Sequence, residues 1–424
     1  METYAAVLTY AIPGFIGLII IEYLWSRIVH REIANSMDTI ASLSSGMTNT
    51  LKDMIGLALV IVGYEWMHRH LSLGEVPNDV LVYVIAFVMI DFAAYWSHRF
   101  NHEINLFWNR HIVHHSSEEF NLSCALRQSI SGIIGVYFFL SIPMAIIGIP
   151  PVVMAVTAPL HLFAQFWYHT RLIGRMGFLE HILVTPSHHR VHHAINAEYI
   201  DKNYAAIFII WDKMFGTFQE ELEDVPAVYG VKKPVQTWNP FIINYQHLWL
   251  LMTDTWRTTE WRDKARIWFM PTGWRPDDVQ RNYPIDVVDD PNMLVKYAPE
   301  QPKGMVFWSW AQLIIANLLL YFMLSQIANL SAGQIALYVV FLGLTVFAYT
   351  SLMDGSVMSI GAELIKAVLG IAIILTIGQW FTIDDVLPGG TIIVASYIMV
   401  SLVITSYFVH LQMKTKSQPQ VQSY

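Results

Sequence analysis

The sequence predicts an all-α integral membrane protein, with about nine transmembrane helices and a histidine-rich helical cap on the cytosolic side. Three observations predict it. Of 424 residues, 54 % are hydrophobic and only 14 % charged, where soluble domains carry roughly 25 % charge. The apolar residues collect into long runs of the length a bilayer requires. At the ends of several runs, histidines fall in tight clusters.

The opening METYAAVLTY lacks the basic stretch and small-residue cleavage site of a signal peptide, so the run at 5–24 is read as the first span. Further spans are expected near 54–67, 78–97, 129–148, 152–169, 305–327, 333–352, 363–381 and 390–411. The one at 54–67 is short and amphipathic. Pro150-Pro151 suits a sharp turn and cannot continue a helix, so the spans on either side form a hairpin. Segments 98–128 and 170–304 then emerge on one side of the membrane. Arg27, Arg31, Arg99, Arg110, Arg127, Arg171, Arg175, Lys366, Lys414 and Lys416 lie on that side and Arg69 on the other, which makes the shared face cytoplasmic. Residues 1–304 read as one unit of spans plus cap. Asp354, Glu363 and Lys366 lie near span ends in an otherwise apolar stretch, so 305–424 reads as a second unit of four membrane helices without metal chemistry. Its polar tail, KTKSQPQVQSY, is expected to be disordered.

Composition also excludes functions. A formal charge of −8 with no basic patch argues against nucleic acid as a partner. The single cysteine, Cys124, allows no intrachain disulfide and no CxxC metal or haem motif. No GxGxxG fingerprint for a flavin or nicotinamide is present, so any reductant must be a separate cofactor or protein.

Histidine carries the chemistry. The strings HRFNH at 98–102, HIVHH at 111–115 and HRVHH at 189–193 stand out. On a helix His98 and His102 share a face; His111 with His114 and His115, and His189 with His192 and His193, repeat that geometry with one extra imidazole each. Neutral imidazole suits iron, zinc and copper. One metal accepts about four to six ligands, so eight imidazoles imply two metals. His169, at the cytosolic end of the fifth span and level with the clusters, is expected to be a further ligand. His161 lies about 12 Å deeper on the same face, and Gln165 between them is a weak ligand or a donor to one. Glu103 follows His102 and can orient a ligating imidazole through its second nitrogen. Glu118 and Glu119 read as solvated loop carboxylates. Asp201, Asn203 and Tyr204 of DKNYA can close the site from above, and Glu103 and Tyr204 are the candidate catalytic side chains. His30, His68, His70, His247 and His410 are expected at the surface or the membrane interface.

In order and spacing the three clusters resemble the fatty-acid hydroxylase and sterol desaturase superfamily of integral-membrane oxygenases. HHSSEEFNLSCALRQS at 114–129, QFWYHT at 165–170, TPSHHRVHH at 185–193 and DKNYAAIFIIWDKMFGTF at 201–218 are similar, more narrowly, to its alkylglycerol monooxygenase branch. The likeness is dense over 90–220 and weaker to about 280, where PTGWRP at 271–276 fits that branch; beyond 305 only the extra spans agree. The resemblance implies two iron ions held by His98, His102, His111, His114, His115, His189, His192 and His193, with Glu103 as an acidic neighbour. It also implies hydroxylation of the alkyl carbon beside the ether oxygen of a glyceryl ether, giving fatty aldehyde and glycerol, with tetrahydrobiopterin as a possible electron source.

The residues by themselves point to reductive activation of dioxygen and attack on a lipid C–H bond, with an external electron donor, a pterin or a redox protein. A fatty-acyl hydroxylase or a sterol desaturase would use the same histidines. A membrane metal transporter or metal-binding protein is the rival from another class, but transport usually places its ligands near the bilayer midplane, whereas these clusters lie at span ends. A zinc hydrolase fits worse, since catalytic zinc needs three protein ligands and an open position. The expected location is the endoplasmic reticulum membrane or the bacterial inner membrane, according to source, with the histidine clusters facing the cytoplasm.

Overall fold

The structure, a computed structural model, describes residues 2–77, 79–132 and 136–417. Its helices are α1 (Glu2–Ile28), α2 (Ser36–Leu71), α3 (Val80–Glu103), α4 (Asn105–His115), α5 (Val136–Leu140), α6 (Ile142–Ile147), α7 (Pro151–Phe163), α8 (Pro186–His192) and α9 (Ile210–Phe215). They continue with α10 (Pro240–Arg257), α11 (Trp261–Arg266), α12 (Asp277–Asn282), α13 (Met305–Ser325), α14 (Ala332–Met353), α15 (Met358–Ile377), α16 (Ile383–Val386) and α17 (Gly390–Ser417). Among the described residues there is no strand, only the isolated bridges Leu183–Phe208 and Ala194–Tyr229.

Among the described residues six helices are long and apolar enough to cross a membrane: Ala6–Ile28, α3, α13, α14, α15 and Gly390–Thr415. The other three expected spans take different forms. Residues 54–67 are the second half of α2, a helix of 36 residues whose N-cap Asn35 accepts the Met37 and Asp38 amides. The 129–148 run begins as irregular backbone because Asn244 Oδ1 accepts from the Ser129 hydroxyl and from the Ile130 and Ser131 amides, at 2.8–3.3 Å. It continues as the short helices α5 and α6, with 133–135 outside the described residues. In the 152–169 run, α7 stops at Phe163 after 13 residues, about 20 Å of helix against a hydrocarbon core of about 30 Å. Gly148 joins α6 to the Pro150-Pro151 turn at φ +92°, where a Cβ would meet the Gly74 carbonyl oxygen at 2.2 Å, so only glycine fits. From that turn α6 packs on α2 and α7 on α3.

The C-terminal helices form a bundle in which α14 packs on α13 and α15, and α15 on α17. Its core is shared: Ile40, Met47, Leu51 and Met54 of α2 belong to the same buried cluster as Leu320, Leu342, Val346 and Ile398. Ser44 of α2 meets the Tyr349 hydroxyl of α14 at 2.5 Å. Glu363 and Lys366 are fully buried inside this bundle, so Lys366 is no flanking charge. Lys366 donates to Glu363 and Ser401 at 2.8 and 2.9 Å, and Gln312 donates to Ser401 at 2.8 Å, which ties α15, α17 and α13 through a satisfied polar cluster. Residues 418–424 of the tail lie outside the described residues.

Candidate metal centre

Four short pieces of chain meet at one end of the spans. HRFNH is the last turn of α3; Ile104 breaks the helix, and α4 sets off carrying HIVHH and packs against α3. Extended Thr185 and Pro186 start α8, whose seven residues present His189 and His192, with His193 as its C-cap. His169 stands in the turns after α7.

The nine expected metal ligands come together in two groups. His98, His102, His111, His115 and His192 form one, and His114, His169, His189 and His193 the other; within each, ligand atoms lie within 4.8 Å of one another. In the first group Nε2 of His111 is 2.8 Å from Nε2 of His98 and 3.1 Å from that of His115. In the second, Nε2 of His169 is 2.8 Å from that of His189 and 3.3 Å from that of His114, and His193 and His189 are 3.0 Å apart. Metal–imidazole bonds of about 2.0–2.1 Å at right angles would put neighbouring donors about 3 Å apart.

Protonation favours the same reading. His98 gives its Nδ1 hydrogen to the Tyr204 carbonyl at 2.6 Å, His192 to the Lys202 carbonyl at 2.9 Å, and His169 to the Gln165 carbonyl at 3.0 Å. A neutral imidazole so placed keeps a bare lone pair on Nε2, and these lone pairs converge. Nε2 of His102 and of His192 is buried without a hydrogen-bond partner. A cation fits between such nitrogens; nothing else on these side chains satisfies them. Burial, followed by the neighbouring imidazoles, holds His111, His114, His115, His189, His192 and His193 well below the usual histidine range. Burial lowers His169 to about 3. The neutral form is the one that binds metal.

The surrounding polar groups position the ligands. Asp91 of α3, fully buried, accepts from His161 Nε2 at 2.7 Å, from the Ile207 and Phe208 amides at 2.9 and 3.1 Å, and from Trp211 Nε1 at 2.8 Å. His161 in turn accepts from the Gln165 side chain at 3.1 Å. Asp212 accepts the Tyr204 and Ala205 amides, both at 2.8 Å, and the Thr217 hydroxyl at 2.6 Å. The 271–276 segment latches the other side: Thr272 donates to the His102 carbonyl, and Asn105 bonds the Ile267 and Trp274 carbonyls and the Gly273 amide. Arg275 holds the segment to Asp254 of α10 by two bonds of 2.6 and 3.0 Å.

The remaining expected residues fall outside the two groups. Tyr204 is fully buried, its ring 5.3 Å from that of His102 and 5.9 Å from that of His98. Burial, then the carboxylates of Asp201 and Glu103, push its hydroxyl far above the usual tyrosine range. Glu103 turns to Arg99, which donates from Nε at 2.9 Å. Asp201 lies 3.9 Å from His102 Nδ1, and Asn203 holds the His188 carbonyl. Glu118 accepts the Tyr297 amide, and Glu119 accepts from Arg171 and Lys296. His247 is buried rather than interfacial, because its Nε2 donates to the Asn105 carbonyl at 2.9 Å. Asp91 was missed by sequence reasoning although a carboxylate amid MIDFAAYW is itself a signal, an ionisable group within a span. Asn105, Asp212 and Asp254 carry no such signal.

A sequence model of the fatty acid hydroxylase family matches residues 83–217, the stretch holding both histidine groups. Alkylglycerol monooxygenase of Homo sapiens is 35 % identical over 346 residues, 81 % of this chain and 77 % of that protein. Its counterpart in Danio rerio is 34 % identical over 408 residues, 93 % of this chain and 87 % of that protein. Ornithine lipid hydroxylase OlsE of Rhizobium tropici is 29 % identical over 151 residues, 36 % of this chain and 45 % of its own. No solved structure matches.

Proposed function

The chain belongs to the alkylglycerol monooxygenase family of fatty acid hydroxylases, a lipid monooxygenase, and from that premise we propose that it hydroxylates the alkyl carbon beside the ether oxygen of an alkylglycerol at a diiron centre. One oxygen atom of O2 enters the C–H bond and the other leaves as water, with two electrons and two protons supplied from outside. The resulting hemiacetal breaks its C–O bond to give a fatty aldehyde and glycerol. The observation that carries the reading is the division of nine neutral histidines into groups of five and four. Its five and four donors suit two ions with room for further ligands.

Bound iron supplies the reductive activation of dioxygen. The chain itself holds His98 and His192 in one tautomer through the Tyr204 and Lys202 carbonyls, so both face inward with the Nε2 lone pair. Tyr204 keeps its proton at physiological pH, and with its ring beside His98 and His102 it is the hydroxyl assigned to donate a proton at the first group. Glu103 acts through Arg99, whose Nη1 reaches the Tyr95 hydroxyl, which is bonded to Thr217 and thence to Asp212 and the Tyr204 amide. The histidine groups face the cytoplasm, 1–304 is the catalytic unit, and 305–424 is a membrane unit that supports α2. Tetrahydrobiopterin is the reductant.

The test is a product assay on purified protein with iron and O2, offering alkylglycerols, fatty acids and sterols, each with tetrahydrobiopterin or a protein electron donor. Fatty aldehyde from alkylglycerol with the pterin is the expected result. Hydroxylated acyl chains or oxidised sterols instead would assign the chain to another substrate of the same superfamily.

A further inference from the structure

α10 carries a pattern that the metal site does not use. Ile243, Asn244, His247, Leu251 and Asp254 are buried on the side that packs against α4 and α2. On the opposite side Tyr245, Trp249, Met252 and Trp256 recur at steps of four, three and four, which is one stripe of an α-helix. All four are exposed, Trp249 at 66 % and Trp256 at 88 %. Trp261 of α11 and Phe269 beyond it extend the surface, at 82 and 68 %. A water-facing surface so rich in large aromatic groups is rare without a partner.

Two observations identify what covers it. The helix starts against a membrane span: Asn239 donates to Ser351 Oγ of α14 at 2.8 Å, and Phe241 Cζ comes within 3.7 Å of where a Cβ on Gly343 would lie. Gly343 sits about 15 Å back from the end of α14 at 1.5 Å per residue, so the α10 surface continues the lipid-facing surface of the bundle. The residue types match as well. Tyrosine and tryptophan concentrate at the level of lipid headgroups, and exposed Arg257, Arg262 and Arg266 lie at the end of the stripe and on α11, where cations meet anionic headgroups.

We propose that α10 is an interfacial helix, its Tyr245–Trp249–Met252–Trp256 stripe seated in the headgroup region of the bilayer. This deepens the membrane-lipid reading above and rests on it. The other side of α10 is fixed to the metal site: His247 bonds the Asn105 carbonyl and the Leu248 amide donates to Asn109 Oδ1 at 2.8 Å, both on the helix that carries His111, His114 and His115. The bilayer surface is thereby held at a set distance from the histidines, with a lipid's headgroup at the rim and its chain beneath.

The test places a nitroxide, one at a time, on cysteines substituted at Trp249 and Met252 in a Cys124→Ala background, with the full chain in nanodiscs containing anionic phospholipid. Leu318 of α13, exposed at 66 %, serves as the bilayer control, and Glu223 of the cap as the aqueous one. Power saturation should show positions 249 and 252 favouring collision with O2 over a water-soluble nickel chelate by several-fold, between the two controls. Nickel access equal to that at Glu223, or shielding from both reagents as under a second copy or another protein, would overturn the proposal. Nickel access at Leu318 would overturn the membrane reading itself.

Discussion

His161 Nε2 donates to Asp91 Oδ1 at 2.7 Å, and both side chains are buried. The pair joins α7 to α3 and orients more than itself. Asp91 also fixes the amides of Ile207 and Phe208, on the loop whose Tyr204 and Lys202 carbonyls orient His98 and His192. His161 bonds Gln165, whose carbonyl orients His169. One carboxylate therefore supports ligands of both histidine groups.

Asp91→Asn should consequently lower metal retention and turnover together. The amide nitrogen would face two of the four donors that now meet oxygen, leaving buried N–H groups unpaired at about 1–3 kcal/mol each. A loss of about 10–100-fold in metal affinity is expected, the scale typical of groups that orient metal ligands. Metal titration of the purified variant checks it; unchanged affinity in a folded variant would remove Asp91 from this role.

His169→Ala should lose metal as well as activity, because it would leave the second group with three histidines. His410→Ala should leave both near normal, since His410 belongs to neither group. Metal content of the two purified variants separates ligand from bystander, and a full complement in His169→Ala would take that residue off the ligand set.

Much of this was legible in the sequence because imidazole spacing is a local signal. HxxxH and HxxHH specify faces of a helix whatever the fold, and all nine expected ligands meet. Span lengths were less legible. Hydropathy does not show that Asn244 would hold 129–131 in irregular backbone, nor that α7 would end at Phe163. Lys366 looked like a flanking charge, since sequence cannot reveal a partner such as Ser401, thirty-five residues away on another helix. His247 was placed at the surface for the same reason: its partner, the Asn105 carbonyl, is distant in the chain.

Topology provides a separate check. α13 leaves the cap and α14 returns to it, since Asp354 after α14 accepts the Trp238 amide at 2.8 Å. The loop at Asn329 should then lie on the far side of the membrane from Glu223. Cysteines at these two exposed positions, in a Cys124→Ala background, should react with an impermeant maleimide from opposite faces of sealed vesicles, Glu223 from the cytoplasmic one. Reaction of both from one face would contradict the arrangement of spans.

His247 gives a pH signature. Burial lowers it to about 4 in the folded protein, against roughly 6.5 in an unfolded chain. Between those values the unfolded chain binds the extra proton, so the stabilisation is complete above pH 6.5 and falls as pH drops toward 4, by up to about 3 kcal/mol. His247→Gln can still donate to the Asn105 carbonyl but does not titrate. Its Tm should therefore fall less between pH 7 and pH 5 than that of the parent chain, and equal falls would show that His247 does not contribute.

The central claim is that five histidines hold one metal ion and four hold a second. Metal analysis of the purified protein after reconstitution with ferrous iron under anaerobic conditions tests it most directly. Two irons per chain are expected, falling toward one in a His189→Ala, His193→Ala double variant that removes half of the second group. A single tightly bound ion in the parent chain, or two retained in that variant, would contradict the account.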